Sequence, residues 1–158
     1  MAATLDYPAT TNASTGDTDT LNSLLRGEMS AVETYQQGIA KFEDAEIKQT
    51  LGRIRDEHSQ IVSQLRARVI ASGGTPSNSS GPWGTFATTV TGTAKLIGPQ
   101  TVLVALREGE EHGYNDYEKS VENKDLSMQT RDTFAEYMSK TKEHILTINK
   151  LIEDYAAE

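Results

Sequence analysis

Leu21, Leu25, Val32, Tyr35, Ile39 and Phe42 recur at steps of three and four. That is the period of one buried helical face. The same period returns three times along the chain. Ile47, Leu51, Ile54, Ile61, Leu65 and Val69 form a second stripe. Leu103, Leu106, Gly113, Tyr117 and Val121 form a third, and Phe134, Met138, Ile145, Ile148, Ile152 and Tyr155 a fourth. No segment alternates with the two-residue period of a strand. Four long amphipathic stripes without strands predict an all-α chain folded as a four-helix bundle.

The punctuation sets expected boundaries. Asp17 or Thr18 caps a first helix that runs to about Phe42, and Asp44 caps a second, with Glu46 in its first turn. Gly73-Gly74 and Pro76 stop the second helix. The third is expected over about 99–123, and Ser127 caps a fourth over about 128–156. Residues 1–17 carry little to bury and read as a disordered tail. One domain, residues 18–156, is expected to follow.

The connection over residues 73–98 is a different kind of sequence. Ser77 to Pro82 reads as a loop, after which Trp83, Phe86, Val90, Ala94 and Ile97 recur at helical spacing. A short helix covering one side of the core is expected there. A helix of about 25 residues is roughly 38 Å long, and a connection of this length can traverse it. The expected topology is therefore the bundle with one long crossover.

Composition narrows the partners. The chain has 158 residues and a formal net charge of -8, which argues against a nucleic-acid surface. There is no cysteine, so disulfides and thiolate metal ligands are excluded. No apolar run is long enough to span a bilayer and no signal peptide is evident, so neither membrane nor nucleic acid is expected as a partner, and the cytoplasm is the default location. Homo-oligomerisation stays open.

Four polar residues fall where the stripes demand apolar ones. On helical wheels Glu28, His58 and Glu110 lie near the centres of their apolar faces, and His144 about 60° from the centre of its own. Glu28 and His58 are almost equally far from the turn at Glu43-Asp44. Glu110 and His144 differ in depth by about 4–5 Å. A buried carboxylate is costly unless a cation, a proton or hydrogen bonds compensate it. Two carboxylates and two imidazoles, paired at similar depth within each hairpin, suit a divalent first-row metal such as iron, manganese or zinc. Glu111 is the substitute for Glu110 should the helix rotate slightly. His112, Glu33, Glu108 and Glu143 fall outside their stripes. Tyr35, Tyr114 and Tyr117 read as packing residues, with at most a hydrogen-bonding role. The alternative is a non-enzymatic bundle in which Arg55 joins these glutamates and histidines in a buried polar network, serving protein interaction or assembly.

Glu28-Met29-Ser30-Ala31-Val32-Glu33-Thr34-Tyr35 resembles the first-helix signature of bacterioferritins and other ferritin-like proteins. His58 with the run to Gly73-Gly74-Thr75-Pro76 is similar to the second-helix histidine region, and His144-Ile145 to the fourth. Gly81-Pro82-Trp83-Gly84 with Glu108-Gly109-Glu110-Glu111-His112-Gly113 looks more specifically like an uncharacterised bacterial family of ferritin-like bundles, a domain of unknown function. The resemblance implies a ferritin-like metal centre, at its fullest a di-iron oxidoreductase and, for the non-enzymatic alternative, a part in a stress response. Arg55 and Thr141 stand three residues before His58 and His144, where the Glu-x-x-His pattern calls for glutamates. Both departures argue against two-metal oxidase chemistry. They leave Glu28, His58, Glu110 and His144 as the expected set for one ion per chain.

Overall fold

The computed structural model describes residues 15–81 and 98–157. Four helices make up the bundle: α1 (Thr15–Ile39), α2 (Ala45–Ala71), α3 (Pro99–Glu122) and α4 (Met128–Ala156). Among the described residues there is no strand, and no helix is long and apolar enough to cross a membrane. The expected short helix over residues 82–97 and most of the expected tail lie outside the described residues.

Local chemistry explains the ends. Asp44 Oδ1 accepts from the Ile47 amide at 2.9 Å and starts α2. Gly73, at φ 79°, ends it, with the amides of Gly73 and Gly74 returning to the carbonyls of Ile70 and Val69. Ser127 Oγ accepts from the Thr130 amide at 3.2 Å and starts α4.

The start of α1 departs from expectation. It begins at Thr15, and Asp17 lies inside its first turn, fully buried. The Asp17 carboxylate reaches across to α4, accepting from the Ser127 amide at 3.3 Å and from Thr130 Oγ1 at 3.0 Å. The residue read as a cap for α1 therefore serves the N-terminus of α4, where an anion also meets the positive end of the helix dipole.

Pairings across the bundle give the topology. Glu28 meets Tyr117 and Tyr35 meets Glu110, so numbers rise along α1 as they fall along α3: the two helices are antiparallel. Glu57 with His144 and Gln64 with Tyr137 show the same for α2 and α4. The end of α2 lies beside the start of α1, where Thr18 Oγ1 and Ser72 Oγ are 2.9 Å apart. The start of α3 lies beside the end of α1, where a Cβ on Gly38 would stand 3.3 Å from Val102 Cγ1. The chain between α2 and α3 thus joins opposite ends, as the one-crossover topology requires.

The core comes in two blocks. One gathers Leu21, Leu25, Leu65, Val69, Phe134 and Tyr137, the other Phe42, Leu51, Ile54, Leu103, Leu106 and Ile148. Between these two apolar blocks runs a layer of buried ionisable side chains.

Candidate metal centre

That layer is built by one or two residues from each helix. Glu28, His58, Glu110 and His144 are all buried. His58 holds the middle. Its Nδ1 lies 2.6 Å from Glu28 Oε2 and its Nε2 lies 2.8 Å from Glu110 Oε1. The other oxygen of Glu110 lies 3.4 Å from His144 Nδ1. His144 Nε2 lies 2.8 Å from Glu57 Oε2. Carboxylates and imidazoles therefore alternate across the bundle: Glu28, His58, Glu110, His144, Glu57.

Two tyrosines complete the layer. Tyr117 Oη donates to Glu28 Oε1 and Tyr35 Oη donates to Glu110 Oε1, both at 2.5 Å. Burial, reinforced by the adjacent carboxylates, raises both phenol pKa values. Both hydroxyls therefore keep the protons they donate.

Electrostatics fix the charge of the central pair. Burial disfavours an imidazolium at His58, but Glu110 and Glu28 on its two nitrogens overcome that and raise its pKa well above the usual value of 6.5. Burial likewise disfavours the Glu110 carboxylate, yet His58 and His144 hold its pKa at about 2. Glu57 is partly exposed, and its pKa is lowered because His144 and Lys140 outweigh its modest burial.

Among the described residues, His58, Glu110 and His144 offer ligand atoms that all lie within 4.8 Å of one another, a group that can hold a metal ion. Glu28 meets His58 on the opposite nitrogen. Glu111 is exposed, pairs with Arg107 and stays outside the layer. Arg55 does not join the network: its guanidinium lies at the surface, donating to Gln36 and Asp56. It leans outward because Gln36 and Asp56 offer acceptors at the rim, where its charge stays partly hydrated. Thr141 is buried and returns its hydroxyl to the Tyr137 carbonyl.

Wheel reasoning missed Glu57. It neighbours His58 in sequence, so it points about 100° away and falls off the apolar face of α2. The available signal was the 60° offset of His144, which turns that ring from the bundle axis towards α2. Tyr35 and Tyr117 were visible as packing residues with at most a hydrogen-bonding role, and both take that role here.

No curated protein and no solved structure matches the chain. Residues 17–123 match a family described as a domain of unknown function, DUF2383. That span covers α1 to α3 and stops short of His144. As it takes in well over half of the residues, the chain belongs to the DUF2383 family.

Proposed function

We propose that this protein binds one divalent metal ion per chain in the bundle core, through His58 Nε2, Glu110 and His144 Nδ1. The observation that carries the reading is the pairing at His144. Glu57 Oε2 lies 2.8 Å from His144 Nε2 and a Glu110 oxygen 3.4 Å from its Nδ1, so an imidazole that gives its one hydrogen to Glu57 would turn the Nδ1 lone pair towards that oxygen. Two acceptors in that position need a proton or a metal ion between them. The 3.4 Å between this pair is close to the roughly 3.3 Å between donors that share one tetrahedral ion at about 2.0 Å.

The donor set fits zinc, manganese or iron. Glu28 on His58 and Glu57 on His144 each occupy the far nitrogen of a ligand histidine, the arrangement by which carboxylates orient metal-binding imidazoles. On this reading Glu28 and Glu57 are orienting residues rather than ligands. When bound, an ion with three protein ligands would supply an open coordination position for Lewis-acid or redox chemistry. Among the described residues, a second ion has no comparable donor set, which weighs against a di-iron oxidase. Ferritin-like ancestry remains the family-level background to this proposal, resting on the sequence resemblance alone.

A second reading is favoured by the completeness of the network. Each of the four oxygens of Glu28 and Glu110 already has a partner. A Glu–His–Tyr layer without Arg55 can fix helix register by itself. Calorimetric titration of chelator-treated protein with Zn(II), Mn(II) and Fe(II) separates the two. One tight ion per chain, weakened at least tenfold in His144→Ala, supports the metal centre. No tight binding of any of the three ions supports the register network.

A further inference from the structure

Among the described residues, a cleft of about 250 Å³ lies between α1 and α3 beside the charged layer. Its lining is mostly apolar. Gly27 and Ala31 on α1, and Ala105, Gly109 and Gly113 on α3, form its walls. Glycine inside a helix is destabilising by roughly 0.5–1 kcal/mol relative to alanine. Gly38 has a steric reason for that cost, because its Cβ would press on Val102. Gly27 and Gly113 have no such reason: a Cβ at either would meet nothing within 4 Å. Their missing side chains leave room in the cleft and bring no backbones together.

The floor of the cleft is polar. Glu28, Tyr35, His58, Glu110 and Tyr117 line it. Every donor there is already committed: both phenols and both His58 nitrogens go to the two carboxylates. A carboxylate offers about four lone-pair positions, and Glu28 has partners for two of them. These five side chains therefore have acceptors to spare and no uncommitted donor. Two carboxylates face one imidazole. Such an acid-rich floor beneath mostly apolar walls selects a molecule with an apolar body and a cationic, hydrogen-donating head. The volume exceeds the roughly 150 Å³ of an apolar cavity that takes up benzene, so one ring with a short arm fits.

We propose that the α1–α3 cleft is a binding site for a small apolar amine, its ammonium directed to Glu28 and Glu110 and its body lying between the glycine-lined helices. The inference goes beyond metal binding and does not rest on it.

The test uses the 158-residue protein kept metal-free with chelator and titrated by NMR at pH 7 with benzylamine, toluene and benzoate in turn. Benzylamine is expected to shift the Ala31, Gly109 and Gly113 amides and to bind at least tenfold more tightly than benzoate. Gly113→Leu fills open space with a better helix former, so it should keep its melting temperature and lose at least tenfold in benzylamine affinity. Toluene binding as tightly as benzylamine would overturn the cationic head. Unchanged benzylamine binding in Gly113→Leu would overturn the location, and no binding of any probe would overturn the site. Because no metal is present, these outcomes leave the calorimetric titration to stand or fall separately.

Discussion

His58 carries most of the electrostatics, because both ring nitrogens are committed to buried carboxylates. Its pKa is raised, so the stability it contributes is complete below the unfolded value of 6.5 and fades as pH climbs through the folded one. Glu110 works in the opposite direction. Its folded pKa of about 2 against 4.5 means stability present above 4.5 and lost as pH falls towards 2. For this pair, the metal-free protein is predicted to gain its full benefit between pH 4.5 and 6.5. Melting curves in chelator across pH 3–10 check this: the alkaline decline should flatten in His58→Gln, and an unchanged profile would contradict the assignment. Removing one partner from a buried pair costs about 3–5 kcal/mol. Glu28→Ala, which leaves His58 unpaired on one side, is therefore predicted to destabilise the metal-free protein by that order in urea titrations. Single-residue wheels made Glu28, His58, Glu110 and His144 legible. They could not show Glu57 or the outward turn of Arg55, because each depends on acceptors or donors supplied by a neighbouring side chain rather than on position along one helix.

Element boundaries were legible wherever a helix carries its own cap. Asp44 and Ser127 mark the starts of α2 and α4 as expected, and Gly73 marks the end of α2. The start of α1 was not legible, because the Asp17 carboxylate is used by α4 and no sequence-local rule sees that contact. Asp17→Ala should accordingly loosen α4 rather than α1. A cost of about 0.5–2 kcal/mol is expected for a lost cap, and hydrogen exchange should show faster amides around Thr130 and Arg131 than in α1. Leu65, fully buried in the block below the charged layer, is predicted to cost about 2–5 kcal/mol on replacement by alanine. A loss below 1 kcal/mol in urea denaturation would mean that the site collapses around the missing atoms.

At the scale of the whole molecule, the length of the 73–98 connection was enough to anticipate antiparallel α1 and α3, and the Glu28–Tyr117 and Tyr35–Glu110 pairs are its consequence. That topology matters chemically: it brings the acid of α1 and the acid of α3 to opposite nitrogens of one histidine, with two apolar blocks sealing the layer above and below. The proposed metal centre consists of His58, Glu110 and His144, with Glu28 and Glu57 behind the histidines. The most direct test is anomalous diffraction from crystals of the protein loaded with Zn(II) or Mn(II). A single strong peak per chain is predicted, bonded to His58 Nε2, a Glu110 oxygen and His144 Nδ1, with Glu28 and Glu57 still on the far ring nitrogens. Two peaks in the layer, a peak bonded to Glu28 instead, or an undisturbed His58–Glu110 contact with no peak would contradict it.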